Sequence, residues 1–367
     1  MHTKTISWCQ TATNTNIRRV NLESNYCHVP KSQAVNRRQL LKCLAAVPLV
    51  NTVPLRANPA HTWRTAKQLP FPTQEIYAAV HNNHVAVAGG ISSRFKLPYF
   101  TSRCVAYHPP SDSWLEWPEL PEAVHHASLV STGNRLFLVG GFSGSYKHVW
   151  RMRKQVLELS NKQWIATTAL PQPQAEGVVS FGPDKKIHLV GGLTLNNTRN
   201  RKRSDHTETT NHWVWDGNAN RWESAAPIPT ARNSATGAWV GSQLIITGGR
   251  TRTGNLPTTE IYNVETDTWD SAEPMPLPQA GGACVAVKNG LIVFGGEIFT
   301  PEAAVFKEVW HYHVHQNRWQ PLPSLPTPRH GLGAAKIGNN VFVVGGATEP
   351  SGSGTSNVNE VMTLPTD

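Results

Sequence analysis

Six times in the chain, a short apolar run ends in two consecutive glycines. One such run is Leu244–Thr247, which leads directly into Gly248 and Gly249. Because continuous apolar runs of this length are typical of strands buried on both faces, each is predicted to be a strand that stops at its glycines. The near-constant spacing indicates a repeat architecture. The six pairs are Gly89–Gly90, Gly140–Gly141, Gly191–Gly192, Gly248–Gly249, Gly295–Gly296 and Gly345–Gly346.

A tryptophan recurs in step with the glycines. It precedes the second glycine of each pair by 27 residues, or by 28 in the third unit. An aromatic residue or leucine stands seven residues before five of these tryptophans, and a turn containing proline follows each of the six. Each unit is therefore predicted to hold four strands, of which the second ends in the glycines and the last carries the tryptophan. The tryptophans are Trp63, Trp114, Trp164, Trp222, Trp269 and Trp319.

The recurrence of glycine pair, Tyr and Trp in register resembles the kelch repeat over residues 61–367. The resemblance implies an all-β fold, a six-bladed kelch β-propeller with four antiparallel strands in each blade. Trp63 has no glycine pair before it, and Gly345–Gly346 has no tryptophan after it. We therefore expect residues 61–70 to supply the outer strand of the last blade and to close the ring.

Residues 1–60 are predicted to be a leader outside the fold. They contain eight Lys or Arg and one acidic residue, whereas residues 61–367 contain 26 basic and 23 acidic residues. Within the leader, Asn36–Lys42 resembles the twin-arginine export signal, which implies a bacterial protein that is periplasmic or secreted. Since most of the net charge of +10 belongs to this leader, no nucleic-acid partner is expected. No stable membrane insertion is expected either, because no apolar run reaches roughly 18 residues.

The cysteines argue against metal and redox functions. Cys104 and Cys284 fall in units that are not neighbours, so both are expected to be free thiols, and no Cys-x-x-Cys spacing supports a zinc site. A copper radical oxidase also has a kelch-type propeller, but that resemblance implies seven blades, extra domains and a Cys beside a Tyr. Cys104 and Tyr107 are expected on opposite faces of one strand. We expect no cofactor and no metal.

Two positions of the repeat are candidates for a site at the mouth of the central channel, on the face that carries the loops after the glycine pairs. The residue directly after each pair is apolar except for Arg250 and Glu297 in adjacent units, which either bind a ligand or form a structural ion pair. The other position lies sixteen residues before the second glycine of each pair and holds Gln74, His125, Glu176, Asn233, Ala280 and His330. At this position Asn233 and His330 are directly preceded by an arginine, Arg232 and Arg329 respectively.

Two functions remain open from these residues. The first is a monomeric, non-catalytic module that recognises a glycan or a protein through the loop face, because propellers commonly act as scaffolds and a fold alone implies no activity. The candidate ligand-binding residues are Gln74, Arg232, Asn233, Arg250, Glu297 and Arg329.

The second is a sugar mutarotase or epimerase, implied by a resemblance to the bacterial periplasmic sialic-acid epimerases, which are also six-bladed kelch propellers. Anomer exchange needs one group to protonate the ring oxygen and another to remove the hydroxyl proton. His125, Glu176 and His330 could share these roles, and an arginine could hold a carboxylate by a bidentate contact. The chain lacks the long insertions of that family in its middle units.

Overall fold

The structure, a computed structural model, describes residues 61–94, 97–145 and 148–365. The predicted leader, residues 1–60, therefore lies outside the described residues. Within them, regular structure consists of strands and three single-turn 3-10 helices, which are Pro109–Ser111, Arg203–Asp205 and Val314–Gln316. None of the described segments is a helix long and apolar enough to cross a membrane.

The described strands include six four-stranded antiparallel sheets, called here blades 1 to 6 in chain order, with strands named first to fourth across each sheet. The first strands contact one another in a closed circle, from blade 1 through to blade 6 and back to blade 1. Strands that radiate from a central channel in this way form a β-propeller. The predicted all-β propeller fold is confirmed.

The blades have the following strands. Blade 1 consists of Ala79–His81, His84–Ala88, Cys104–His108 and Ser113–Trp117. Blade 2 consists of Ser128–Ser131, Leu136–Val139, Val156–Ser160 and Gln163–Ala166. Blade 3 consists of Val178–Phe181, Ile187–Val190, His212–Asp216 and Arg221–Ser224.

Blade 4 consists of Thr236–Val240, Gln243–Thr247, Thr259–Asn263 and Thr268–Ala272. Blade 5 consists of Ala283–Val287, Gly290–Phe294, Val309–His313 and Arg318–Leu322. Blade 6 consists of Gly333–Ile337, Asn340–Val344, Asn359–Thr363 and, as its fourth strand, Thr62–Thr65. Thr62–Thr65 pairs antiparallel with Asn359–Thr363, so the two ends of the described chain meet in one sheet.

Short strands in the loops form a second, smaller layer on one face of the propeller, the loop face. They are Thr73–Gln74 with Ile91–Arg94 and Leu97–Phe100, Val124–His125 with Phe142–Ser143 and Arg151–Met152, Leu193–Leu195 with His206–Glu208, Arg250–Thr251 with Gly254–Asn255, and Glu297–Ile298 with Ala304–Val305.

The repeated tryptophans join neighbouring blades. Each of the six donates its indole N–H, over 2.8–3.1 Å, to a backbone carbonyl of the preceding blade. The carbonyl lies just before the turn containing proline that follows the fourth strand of that blade. The glycine pairs permit the close approach of blades on the loop face. A Cβ at Gly140 would lie 2.2 Å from the carbonyl oxygen of Gln174 in the loop leading into blade 3, and its φ is +61°. The repeat signature is thus explained by contacts between blades.

Candidate functional site

A ring of six residues with positive φ surrounds the mouth of the channel. Each residue precedes the first strand of its blade, and its φ lies between +52° and +68°. Five backbone hydrogen bonds of 2.7–3.0 Å connect ring residues of adjacent blades, such as the one from His126 N–H to the carbonyl of Glu75. The ring residues are Glu75, His126, Glu176, Ser234, Gly281 and Gly331.

The backbone of the ring is strained at each position where the ring residue is not glycine. The left-handed conformation costs a residue with a Cβ about 1–2 kcal/mol, and glycine adopts it freely. Blades 5 and 6 have glycine there, whereas the other four blades have Glu75, His126, Glu176 and Ser234. Strain of this kind persists where a side chain has a task, and it concentrates at functional sites. The four ring residues that have a side chain are therefore candidate functional residues.

The structure corrects the sequence register of Glu176. Gln74 pairs with Ile91 and His125 pairs with Phe142, but the residue that pairs with Leu193 is Ala175. The cause is one extra residue in the hairpin turn 182–186 between the first two strands of blade 3. Glu176 thus belongs to the ring. Its ring neighbours Glu75 and His126 were missed, because the sequence comparison stopped one residue before them.

Six ionisable side chains meet at the mouth, and we call them the mouth cluster. His126 Nε2 lies 3.0 Å from Glu75 Oε2 and 3.9 Å from Glu176 Oε1. Arg250 and Glu297 form the ion pair between adjacent blades that the sequence offered as one alternative, with Nη1 and Oε1 2.8 Å apart. The cluster consists of Glu75, His126, Glu176, Arg250, Glu297 and His330.

Hydrogen bonding fixes the protons of His125 and His126. His125 Nε2 lies 2.7 Å from the carbonyl of Val149 and therefore donates, and the two Nδ1 atoms are 2.6 Å apart. With His126 Nε2 donating to Glu75, these three contacts require three N–H protons on two rings, so one ring is an imidazolium. Burial, with the neighbouring His126, lowers the pKa of His125 to about 3. Burial opposes the charge on His126, yet the attraction of Glu75 raises the pKa of that ring, which identifies it as the cation.

The carboxylates beside this cation are held ionised. Burial works against the charge of Glu75, but His126 holds the pKa of that carboxyl well below its usual range. Burial likewise opposes the charge of Glu176, whose pKa is lowered by His126, Arg203, Arg250 and a 2.7 Å hydrogen bond from Ser234 Oγ. The mouth therefore presents a proton donor between two proton acceptors.

A tyrosine that the sequence reasoning missed lies where the mouth meets the channel. Burial, reinforced by the charges of Glu176 and Glu75, raises the pKa of Tyr77 well above its usual value, so its phenol stays protonated. With Thr236 and Cys284 it lines a cavity of about 100 Å³ among the first strands. Ligand pockets commonly measure about 300–1,000 Å³, so a ligand is expected in the mouth rather than in this channel.

Arg232 and Arg329 are not brought to the mouth cluster, contrary to the expectation that they face a ligand there. Both are almost fully buried and run outward into their own blades. Arg232 pairs with Glu260, and Arg329 Nη2 lies 2.8 Å from Glu360 Oε2. Each guanidinium also donates to the carbonyl of the first glycine of its pair. Their hydrogen-bonding capacity is used within the blades.

The other predicted residues border the cluster. His125 is stacked between Phe100 and Phe142, with ring centroids 4.9 and 5.4 Å away. Asn233 Nδ2 donates to Glu208 Oε1 over 3.1 Å, and Ala280 has no polar side chain to contribute. His330 lies in the cluster, where its Nδ1 faces Glu297.

A loop of blade 6, residues 348–355, covers one side of the mouth, and we call it the blade 6 loop. Its backbone N–H at Ser351 donates to Glu297 Oε2 over 2.9 Å, and its carbonyl at Glu349 accepts from His330 Nε2 over 2.9 Å. Gln74 Nε2 donates to Gly352 O over 3.1 Å and to Thr355 over 2.7 Å. Gln74 therefore anchors this cover from blade 1.

The model of the KLHDC2/KLHL20/DRC7 Kelch-repeats domain matches residues 126–346. The chain is similar to the "Kelch-like protein terF" of Aspergillus terreus, with 26% identity over 190 residues, which are 51% of this chain and 41% of that protein. It is also similar to the "Kelch repeat-containing protein At3g27220" of Arabidopsis thaliana, with 25% identity over 195 residues, which are 52% of this chain and 44% of that protein. The chain spans less than half the length of these relatives.

The solved structure of the protein YjhT has the same fold. The two superpose with a TM-score of 0.70, which covers 82% of this chain and 97% of that chain, at 15% sequence identity. At that identity the likeness concerns the fold alone.

Proposed function

We propose that this chain, which belongs to the KLHDC2/KLHL20/DRC7 Kelch-repeats domain family, is a recognition propeller that binds a small hydroxylated ligand, a sugar or the end of a glycan, at the channel mouth. The supporting observation is the strained ring, which keeps Glu75, His126, Glu176 and Ser234 at positions where glycine would be relaxed. Each sugar hydroxyl both donates and accepts hydrogen bonds. A mouth with carboxylates beside an imidazolium and a guanidinium offers both kinds of partner.

An exposed aromatic ring borders the same mouth. Phe299 is 43% exposed, and the guanidinium carbon of Arg250 lies 4.9 Å from its ring centroid. The apolar face of a sugar ring can stack on such a side chain while its hydroxyls reach Arg250 and Glu75. A small ligand fits this arrangement better than a flat protein surface, since most of the cluster is buried.

The test is a thermal-shift series of the full chain against neutral hexoses, hexosamines and acidic sugars. A bound ligand raises the melting temperature by mass action. We expect a shift for the wild type that Glu176→Gln abolishes. Glu158→Gln is the matched control, because Glu158 pairs with Arg135 away from the mouth. If no sugar shifts the wild type while a protein ligand does, the module recognises protein instead.

A second candidate, a sugar mutarotase or epimerase, is favoured by one observation: the His126 imidazolium lies 3.0 Å from Glu75 and 3.9 Å from Glu176. His126 would give its proton to the ring oxygen as the bond from that oxygen to the anomeric carbon breaks, and Glu176 would take the proton of the anomeric hydroxyl. Closure on the other face returns both protons. His125, whose pKa is about 3, would hold His126 in place rather than act as the acid.

Anomer exchange followed by NMR separates the two candidates. Acceleration above buffer for sialic acid or a neutral hexose, lost in His126→Asn, would establish the isomerase. No acceleration for any sugar that binds would leave recognition as the function.

We also propose export through the twin-arginine pathway, tested by fusing residues 1–60 to a reporter and replacing both Arg37 and Arg38 with Lys.

A further inference from the structure

We infer that the mouth contains a pocket for a primary ammonium group, formed by Glu75, Glu297 and His330, so that the sugars it takes are amino sugars with a free amine. This inference rests on the proposed function and names the ligand class of the same site. Three observations carry it: an unpartnered nitrogen, the carboxylates that face it, and the charge around them.

The unpartnered nitrogen is Nδ1 of His330. The side chain is fully buried, and Nδ1 has no hydrogen-bond partner among the described residues. Its other nitrogen, Nε2, lies 2.9 Å from the carbonyl of Glu349 and therefore carries a proton. In the neutral ring Nδ1 is then an acceptor. A buried acceptor without a partner is costly and rare in a native structure, so it requires an explanation.

Two carboxylates converge on this nitrogen without bonding to it. Glu297 Oε2 lies 3.5 Å and Glu75 Oε1 lies 3.7 Å from Nδ1, both beyond good hydrogen-bond distance. The other oxygen of each carboxylate is occupied, by Arg250 on Glu297 and by His126 on Glu75. Glu297 Oε2 also accepts the Ser351 N–H and keeps further acceptor capacity.

The donor count selects the ligand chemistry. A sugar hydroxyl supplies one proton, whereas a primary ammonium supplies three, which matches the three acceptor atoms. Charge points the same way at the pocket, because the oxygens that face Nδ1 belong to carboxylates, whereas Arg250 and His126 contact the other oxygen of each. A cation that is hydrogen-bonded by two carboxylates is favoured over a neutral group, because charge-assisted hydrogen bonds are the stronger ones.

Glu75, with Arg250 and Gly331, determines where a ligand enters the pocket and how one wall of the pocket is positioned. The side chains of Glu75 and Arg250 are 16% and 17% exposed, more than those of the other four cluster members, so a ligand would enter beside them. Gly331 makes room for the carboxylate of Glu75, since a Cβ there would lie 3.1 Å from Glu75 Oε1. Glycine in blade 6 of the ring thus positions one wall of the pocket.

The experiment is calorimetric titration of the full chain with glucosamine, N-acetylglucosamine and glucose. We expect glucosamine to bind at least tenfold more tightly than the other two, which is about 1.4 kcal/mol. Tri-alanine and N-acetyl-tri-alanine form a second arm that distinguishes an amino sugar from a peptide amine. Tight binding of tri-alanine with no preference for glucosamine would overturn the sugar assignment.

Two variants and one spectrum test the pocket itself. Glu75→Gln should bring glucosamine to the affinity of glucose, and Gly331→Ala, which retains every charge, should weaken glucosamine selectively. Glu158→Gln should retain the preference. Equal binding of all three sugars would overturn the ammonium pocket and leave sugar recognition intact, whereas no binding of any sugar would overturn both. ¹⁵N NMR of ligand-free protein that showed Nδ1 of His330 protonated at neutral pH would also overturn it, because the third acceptor would not exist.

Discussion

Two pairs of buried histidines in this propeller have the same wiring and different surroundings. At the mouth, a chain of contacts runs from the Val149 carbonyl through His125 and His126 to Glu75. Between blades 3 and 4, His212 Nδ1 lies 3.1 Å from the Ala226 carbonyl, His212 Nε2 lies 2.8 Å from His188 Nδ1, and His188 Nε2 lies 3.1 Å from Asp184. We call His188 and His212 the interblade pair.

Both pairs have the same three contacts, from a backbone carbonyl to the first ring, from the first ring to the second, and from the second ring to a carboxylate. What differs is the rest of the environment. The carboxylate of the mouth pair belongs to a cluster of six ionisable groups, one of which has an unpartnered nitrogen within the described residues. Aromatic rings pack on both pairs, and around the interblade pair the ring centroid of Tyr262 lies 4.6 Å from that of His212 and the centroid of Trp239 lies 4.9 Å from that of His188. We therefore assign a function to the mouth pair, on which other ionisable groups converge, and a structural role to the interblade pair.

The largest effect is expected from breaking the interblade pair. His212→Ala removes the contacts with Tyr262 and leaves His188 Nδ1 without its acceptor, so it should destabilise the fold by about 3 kcal/mol. Chemical denaturation measures this loss. Sugar binding by the folded fraction should stay at the wild-type level. A variant that melted normally but lost binding would reverse the assignment of the two pairs.

Two of these rings, His212 of the interblade pair and His126 of the mouth pair, should differ in the pH range in which they stabilise the protein. Burial, with the neighbouring His188, lowers the pKa of His212 to about 4, below the 6.5 of an ordinary histidine. Between these values the unfolded chain binds more protons, so the free energy of unfolding falls as the pH drops from 6.5 to 4, by about 3 kcal/mol at most.

The sign is opposite for the mouth cation. The pKa of His126 is raised by Glu75 against the effect of burial, so its stabilising contribution is complete below pH 6.5 and is lost as the pH rises through the folded pKa. Denaturation of wild type, His212→Asn and His126→Asn across pH 4 to 9 measures both windows. Identical wild-type and His126→Asn curves above pH 6.5 would show that His126 is not the cation.

A third prediction concerns the matched carboxylates. Glu75→Gln should lower the affinity for a bound sugar about tenfold, or 1.4 kcal/mol, because it removes the partner of His126 at the mouth. Asp184→Asn makes the same change at the interblade pair, where the side chain is part-exposed and also accepts the Lys186 N–H. It should alter stability by about 1 kcal/mol and leave affinity unchanged. Titration calorimetry of both variants decides; equal losses of affinity would contradict the comparison.

The sequence predicts the propeller well because the residues that repeat are the ones that make the contacts between blades. The glycine pairs allow the approach of blades, and each repeated tryptophan bonds to the blade before it, so both recur wherever that contact recurs. The site is harder to predict. One residue inserted in the turn 182–186 moved Glu176 out of register, and Glu75 and His126 became visible only when backbone pairing fixed the ring.

The ion pairs of Arg232 and Arg329 could have been predicted from the sequence. In blades 4 and 6 the third strand offers Glu260 and Glu360 to these arginines. Blade 3 has Gln174 instead, which accepts from the indole N–H of Trp213 over 3.1 Å. The residue types at the two positions change together, which indicates partners within a blade rather than ligand contacts. The unpartnered Nδ1 of His330 has no counterpart in the sequence pattern, since it depends on where three loops end.

The smallest effect is expected at two aromatic rings, one beside Arg250 at the mouth and one beside the interblade pair. Phe299 borders the mouth and is 43% exposed, so Phe299→Ala should weaken sugar binding about threefold, or 0.7 kcal/mol, through loss of stacking. Its effect on stability should stay within about 0.5 kcal/mol, as for most surface changes. Trp239, which packs on His188, is the matched residue, and Trp239→Ala should reduce stability without changing affinity. Each substitution removes one aromatic ring, Phe299 beside Arg250 and Trp239 beside His188. A shared effect on affinity would therefore mean that the interblade pair communicates with the mouth, and separate effects would keep recognition confined to the mouth cluster.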